Sequence, residues 1–364
     1  MDKASELKRI LSLKLDWNKA RLDFFSKALI SLFVCKTINF KEIAVTMPDS
    51  SSRVARYKRI YRFFANFDID YIVIAKWLFD IFFSNSTNYY ISIDRTNWFW
   101  GRAKINIFML SICHEGMSIP IFWTMLNKAG MSTAEEQISL ISKFTNVFGS
   151  DRIEALLADR EFPNKKLLSW LVEQNITFYM RLKHNVDVNI KSKKFKSAGE
   201  LFSHLAPFEQ SVFGMRVNIW GSKVYLAGSK NSREDLMIVI TNGNPKIAIA
   251  CYLRRWEIET LFQCLKGRGF RFEDTHVIDL KRIKKIVAML AIGVAWAHKT
   301  GEWLAEKKPI QLKNIRGQLR PQYSLFRYGL DYLRDLFTQE KNNTRDIRTA
   351  FNQIVTSSTS EGTG

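Results

Sequence analysis

Cysteine is scarce in this chain, and its spacing is uninformative for metal. The four thiols, Cys35, Cys113, Cys251 and Cys264, form no C-x-x-C pair. That argues against a structural zinc site and fits buried thiols in a reducing compartment. Histidine is also sparse: five residues are scattered without ligand spacing and read as structural or surface groups. Long apolar runs are missing as well. The longest uncharged one, Ile286 to Ala297, falls short of the about 20 apolar residues that a bilayer helix needs. No apolar signal region follows Met1-Asp2-Lys3-Ala4-Ser5-Glu6. Membrane insertion is thereby set aside, and a soluble cytoplasmic protein is expected. Acidic residues are in deficit: Lys and Arg outnumber Asp and Glu by 55 to 35, for a net charge of +20. An excess of that size points to a polyanionic partner, here nucleic acid.

What is present reads as a folded α/β chain. Its 364 residues allow two or three domains, and 46% hydrophobic with 13% aromatic content supplies a core. Residues 1–85 are predicted helical: Leu22, Phe25, Leu29, Leu32 and Phe33 recur at helical spacing. A short helix from Phe40 to Met47, a Pro48-Asp49-Ser50-Ser51-Ser52 turn and a helix from Arg53 to Ala65 follow. On that last helix, at roughly 100° per residue, Val54, Tyr57, Ile60, Tyr61 and Phe64 share one face. Arg56, Arg59 and Arg62 share the other. The layout predicts a helix-turn-helix with a basic outer face able to enter a DNA groove; a solvated face on a bundle helix is the plainer alternative.

The middle of the chain alternates. Strands are predicted at Tyr89–Asp94, Ile105–Cys113, Ile119–Trp123, Ile153–Ala158 and Ile176–Leu182. Helices are predicted at Thr133–Phe148, where Thr133 and Glu136 suit a capping box, and at Lys165–Val172. This is the strand and helix order of the ribonuclease H-like fold. Residues 183–245 turn β-rich, with strands at Val186–Ile190, Ser211–Trp220, Lys223–Ala227 and Leu236–Thr241. A long helix from near Ile247 carries Tyr252 to Lys266, residues 280–306 are helical, and Tyr323–Phe337 is a further helix. The Ser-, Thr- and Gly-rich tail from Val355 to Gly364 is expected to be disordered.

Three carboxylates stand out by position. Asp94 and Asp159 each end an apolar strand, where an acid must be solvated, paired or metal-bound and where α/β sheets gather their catalytic groups. A turn or cap aspartate is the plainer reading of either one alone. Glu259 lies on the predicted helix. With Tyr252 at zero, Arg255, Glu259 and Lys266 fall at about 300°, 340° and 320°, within one arc. Ile258, Leu261 and Leu265 lie nearly opposite. One face therefore packs on a core while the other presents a hydroxyl, two cations and a carboxylate, although an ordinary Arg255–Glu259 pair at i, i+4 gives part of the same pattern. Phosphodiester cleavage needs such groups. Carboxylates hold Mg²⁺, two metals activate a hydroxyl and offset charge at phosphorus, and Arg and Lys grip phosphate.

The spacing Tyr252-(2)-Arg255-(3)-Glu259-(6)-Lys266 resembles the Y-R-E-K signature of the insertion sequence four family of DDE transposases. Asp94-Arg95-Thr96 and Asp159-Arg160-Glu161-Phe162 resemble that family's first and second acidic motifs, so the likeness spans about residues 88 to 276. The resemblance implies a ribonuclease H-like catalytic core (86–182 and 246–306) with a β-rich insertion (183–245). A helical DNA-binding region (1–85) precedes it, and a C-terminal helical region with the tail (307–364) follows. It implies Asp94, Asp159 and Glu259 as catalytic ligands of two Mg²⁺ ions, with Mn²⁺ as a substitute. Tyr252, Arg255 and Lys266 would hold phosphates. The partners implied are double-stranded transposon ends and target DNA, and a homodimer in the synaptic complex of a prokaryote. The route implied is cut-and-paste transposition through a hairpin. In some relatives an insertion tryptophan stacks on a flipped base, a role for which Trp220 is the candidate and Trp98 the weaker alternative. The rival readings are a ribonuclease H-like nuclease or resolvase without strand transfer, and a non-catalytic DNA-binding derivative. An RNA-binding module lacks any recognisable aromatic RNA motif.

Overall fold

Five capped helices come first: α1 (Lys3–Leu11), α2 (Lys19–Cys35), α3 (Phe40–Thr46), α4 (Arg53–Asn66) and α5 (Tyr71–Phe83). Asp2, Asn18, Asn39, Ser52 and Asp70 each accept backbone N–H bonds at a helix start, which satisfies donors that no helix can satisfy internally. The computed structural model describes residues 2–191, 194–315, 317–339 and 344–355; positions 356–364 of the expected disordered tail lie outside the described residues.

The strands form one large mixed sheet. An antiparallel meander, β1 (Tyr89–Trp100), β2 (Ala103–His114) and β3 (Met117–Met125), is followed by α6 (Ala134–Phe148), β4 (Ile153–Ala158), α7 (Lys165–Glu173) and β5 (Phe178–Leu182). β4 runs parallel to β1 and β5 parallel to β4. Both connections cross through a helix, and α6 and α7 touch each other. Ala155, Leu157 and Tyr179 pack instead with Ala248, Ile249 and Tyr252 from later in the chain, and strands covered in this way read as apolar runs. The capping box predicted for α6 is present, with Thr133 and Glu136 bonding reciprocally.

The next segment continues this sheet. β6 (Asp187–Lys191), β7 (Lys194–Ser197), the short α8 (Ala198–Leu201), β8 (Gln210–Val212), β9 (Val217–Ile219), β10 (Ser222–Lys230) and β11 (Leu236–Thr241) follow in sequence. The spatial order is β3-β2-β1-β4-β5-β11-β10-β9-β6-β7, with β8 beside β10. β11 pairs antiparallel with β5, Ile238 opposite Leu182. The strand predicted at Ser211–Trp220 is in fact two short strands, β8 and β9. Trp220 lies in the hairpin turn after β9 with a φ of 51°, ahead of Gly221 at 97°. Two successive residues of positive φ make the tight turn that matches strand twist.

The helix predicted to run unbroken from Ile247 through Lys266 is divided. α9 (Ala248–Leu253) and α10 (Trp256–Leu265) flank a joint at Arg254 and Arg255, where Arg254, Arg255, Glu257 and Ile258 donate backward over three residues rather than four. No Gly or Pro marks the break.

α11 (Leu280–Lys307) is the central helix, buried along nearly its whole middle. After it come the ribbon β12 (Leu312–Ile315) and β13 (Gln318–Pro321), then α12 (Leu325–Thr338) and α13 (Thr344–Asn352). α11 and α12 touch backbone to backbone: a Cβ on Gly301 would lie 1.9 Å from the Leu325 carbonyl oxygen. Buried indoles fasten the C-terminus. Trp296 Nε1 donates to the Ala350 carbonyl at 2.8 Å and Trp77 Nε1 to that of Ile354 at 2.6 Å. A contiguous apolar core therefore extends from Ala4 to Ile354. Among the described residues, no helix is long and apolar enough to cross a membrane.

Candidate active site

Strand register brings the first two acids side by side. Ile93 on β1 is level with Ala158 on β4, so the next residue on each parallel strand, Asp94 and Asp159, occupies the next rung. Asp159 leaves the sheet just after β4, as predicted. Asp94 does not end its strand: β1 continues to Trp100, because β2 pairs with it residue by residue as far as Ala103. The acid is thus held at mid-strand with its backbone fixed.

Glu259 reaches the same place from α10, through one cation. Arg255 donates from Nη2 to Glu259 Oε1 at 2.8 Å, from Nη1 to Asp94 Oδ2 at 3.4 Å and from Nε to the Tyr252 hydroxyl at 3.1 Å. Tyr252 in turn donates to Asp159 Oδ1 at 2.9 Å. All three carboxylates are therefore one or two hydrogen bonds from a single guanidinium.

This arrangement differs from the exposed arc expected of a straight helix. Tyr252 and Arg255 are buried, at 1% and 3% exposure, and lie beneath the acids. Glu259 and Lys266 stay half-exposed and, with Asp94, Arg95, Gln263 and Arg268, line an open groove. The joint between α9 and α10 turns the two halves of the predicted stripe in different directions. Lys266 spans the groove edge, its Nζ 2.8 Å from Glu273 Oε1 and above the Trp98 ring.

Electrostatics follow from this burial. Desolvation pushes the Asp94 carboxyl from its ordinary 3.8 up to about 7; the Arg95 N–H bond and Arg255 oppose the rise, while Glu161 and Asp159 add to it. Burial likewise raises the Tyr252 hydroxyl to about 12, with Asp159 adding to the effect. For Arg255 burial works against the charge, but Tyr252, Glu259, Asp159 and Asp94 outweigh it and hold the guanidinium firmly protonated.

The groove itself is lined by two of the acids, Asp94 and Glu259, while Asp159 is held beside them through the Tyr252 hydroxyl. Arg255 and Tyr252, rather than close approach of the oxygens, join the three. These hard oxygen donors suit a divalent cation, with one acid reluctant to ionise until a cation arrives. Without a metal, the folded protein keeps a proton on Asp94 that the unfolded chain has lost between about pH 4 and 7. Stability therefore falls as pH rises through that window. A bound cation needs the carboxylate and acts in the opposite sense. Mg²⁺ is expected to raise the Tm little at pH 5 and clearly more at pH 8, against a chelator control in thermal melts. Equal shifts at both pH values would contradict this linkage.

Two supporting residues sit inside the predicted motifs without having been given a role. Arg95 forks onto Glu161, Nε to Oε1 and Nη2 to Oε2 both at 2.7 Å, and also donates to the Gly130 carbonyl. The pair ties the residue after Asp94 to the turn after Asp159. The signal available was their symmetry, a basic residue following one acid and an acidic residue just past the other.

The predicted DNA-binding arginines of α4 diverge. Arg56 donates to the Met47 carbonyl at 2.8 Å and Arg59 pairs with Asp49 at 2.7 Å, so both brace the α3–α4 turn. Arg62 is exposed, together with Arg53 and Lys58. The buried face of α4 is also rotated from the one predicted. Ile60, Phe63 and Phe64 are inside, whereas Val54 and Tyr61 are exposed. Trp220 is 36% exposed at its hairpin tip, not packed within a strand. Trp98 is half-buried with its ring edge-on to Phe272.

A family described as "Transposase DDE domain" matches residues 92–296, which include Asp94, Asp159 and Glu259. No curated protein matches the chain. Among solved structures, the chain is similar to a piggyBac transposase in a cryo-EM synaptic complex with hairpin DNA, at 12% identity and a TM-score of 0.47, over 100% of this chain and 84% of that one.

Proposed function

Because the chain belongs to the transposases with a DDE domain, we propose that it cuts DNA at the ends of a mobile element and joins them to target DNA, with Asp94, Asp159 and Glu259 as its catalytic carboxylates. The observation that carries this reading is the convergence of those three side chains on the Arg255–Tyr252 pair. The strand order β3-β2-β1-β4-β5, antiparallel then parallel, supports a ribonuclease H-like core. In that reading β6 to β11 form an insertion ahead of the glutamate, and the spacing from Tyr252 to Lys266 supports membership of the insertion sequence four group.

Two Mg²⁺ ions, held by the three carboxylates, would supply Lewis-acid activation of a hydroxyl and neutralise charge at phosphorus. The chain's own residues set the stage for that chemistry. Arg255 aims Asp94 and Glu259, and Tyr252 fixes Asp159, so these two act as positioning residues from below. Lys266 and Arg268 offer positive charge at the rim of the groove, where a phosphate backbone would lie. The cycle we infer is hydrolytic nicking at the element's end, attack of the freed 3′-hydroxyl on the opposite strand to form a hairpin, reopening, and attack on target DNA. Trp220, at an exposed hairpin tip, is the candidate to stack on an extruded base. The exposed basic edge of α4 is the candidate to read terminal repeats, with two copies of the chain pairing two ends.

The test uses the full chain, a duplex carrying the inverted repeats that flank its gene, a supercoiled target plasmid and Mg²⁺. Joined products are expected, together with hairpin ends on denaturing gels. Nicks without joining would replace transposition with a purely hydrolytic nuclease.

A further inference from the structure

His114 ends β2 beside a tight turn at Glu115 and Gly116, both of positive φ. His298 and Glu302 lie at i, i+4 on α11 and therefore project from one face of that helix. These three residues meet. His114 Nε2 is 2.5 Å from Glu302 Oε1, His298 Nε2 is 3.3 Å from the same oxygen, and the three ligand atoms lie within 4.8 Å of one another. No pattern in the primary structure announces the cluster, because 188 residues separate His114 from Glu302.

The independent observation is His298 itself. It is 1% exposed, yet neither ring nitrogen has a hydrogen-bond partner. Its Nε2 is near Glu302 but off the line that a hydrogen bond requires. A buried polar atom left unpaired costs free energy and calls for an explanation. A neutral imidazole beside a carboxylate and a second imidazole is the donor set of a borderline-soft metal. Around bonds of about 2.0–2.1 Å, tetrahedral ligand atoms lie roughly 3.3 Å apart. The His298–Glu302 separation already has that value, and the His114–Glu302 contact must open by less than about 1 Å.

The surroundings suit such an ion. Phe82 and Phe83 wall the imidazoles on one side, their ring centroids 4.9 and 5.5 Å from that of His114. Lys299 bonds the other carboxylate oxygen, Oε2, at 2.9 Å, which orients Glu302 and leaves Oε1 for the cluster. Glu257 brings a further buried carboxyl close to His114, and its Oε2 has no hydrogen-bond partner. Burial keeps His298 neutral, the form in which imidazole ligates. The cluster is remote from the acids: His114 lies five residues along β2 from Met109, the partner of Asp94, or about 17 Å at strand rise.

We propose that His114, His298 and Glu302 bind one divalent transition metal of the zinc class, which ties the β2–β3 hairpin to α11 at a site separate from the three acids. The test uses Co²⁺ as a spectroscopic probe and Zn²⁺ as competitor, on the full chain in excess Mg²⁺ so that the oxygen-ligand site is filled. One equivalent of Co²⁺ is expected to give the intense visible bands of four-coordinate cobalt, bleached by Zn²⁺. H298A and H114Q are each expected to weaken binding by more than the about 10- to 100-fold that loss of a supporting partner causes, whereas D159N leaves the bands in place. Should H298A fail to fold, H114Q carries the test, because His114 is partly exposed. Absence of bands in the native chain, or bands indifferent to both histidine changes, overturns the proposal and leaves a proton-bridged cluster in its place.

Discussion

Asp94→Asn, Asp159→Asn and Glu259→Gln are each expected to lower DNA cleavage on the order of 10³-fold or more, while the folded chain survives. Each change keeps shape and removes the charge that a divalent cation requires. Metal-ion stabilisation of a transition state is worth several kcal/mol, and each 1.36 kcal/mol is about tenfold in rate, which sets the scale. The acids come from β1, the end of β4 and α10, and the other acid of α10, Glu257, is engaged near His114 and Arg254 instead. Folding is less threatened at Glu259, whose side chain is 34% exposed, than at Asp94, at 17%. Circular dichroism and thermal melts separate loss of activity from loss of fold, and single-turnover cleavage of a labelled end supplies the rate. A variant that folds and cuts within about tenfold of the native rate would remove that residue from the catalytic set.

Arg255→Met is expected to destabilise the metal-free protein by about 3–5 kcal/mol near neutral pH, the usual consequence of removing one partner from a buried ion pair. Here the loss leaves Asp94, Glu259 and, through Tyr252, Asp159 without their common cation. Asp94 already has a raised carboxyl in the native chain despite Arg255. Without that residue its folded-state proton is held more tightly, so the deficit grows as pH rises and shrinks as the solution is acidified. Mg²⁺ supplies the missing positive charge and should restore part of the stability at pH 7, more than it adds to the native chain. Arg255→Lys is expected to rescue little, because a point charge cannot bond Glu259, Asp94 and Tyr252 as the planar fork does. Urea melts at pH 5 and pH 7, with and without Mg²⁺, decide the matter. An Arg255→Met chain as stable as the native one, or a deficit blind to both pH and Mg²⁺, would leave the guanidinium without the role assigned to it.

The parts of the fold legible in the amino-acid order are those decided by local physics. β4 runs from Ile153 to Ala158 as predicted, because an apolar β-branched run beside a polar turn has few alternatives. α6 starts where the Thr133 and Glu136 capping box places it. What could not be read was decided at long range. β1 continues past Asp94 because β2 pairs with it, and nothing in Thr96-Asn97-Trp98 demands a strand by itself. The break between α9 and α10 lacks a Gly or Pro and coincides with the drawing of Arg255 towards acids on other elements. Helical projection placed Tyr252, Arg255, Glu259 and Lys266 on one arc, but an unbroken helix was its premise. On α4 the face drawn through Val54, Tyr57, Ile60, Tyr61 and Phe64 is buried at Ile60 and Phe64 but exposed at Val54 and Tyr61. Phe63, left off that face, is inside through contacts with Trp17, Phe24 and Phe25, as Phe64 is through Phe40.

The pairing of β11 with β5 has a practical corollary for anyone dissecting this chain. The β-rich stretch looks detachable in linear order, yet its last strand seals the flank of the strand next to β4. Trimming the chain before β11 would bare a row of unsatisfied amides and carbonyls along Phe178–Leu182, the kind of raw border that recruits stray strands and precipitates. A minimal catalytic fragment therefore has to keep β11 as its selvedge, whatever else is cut away.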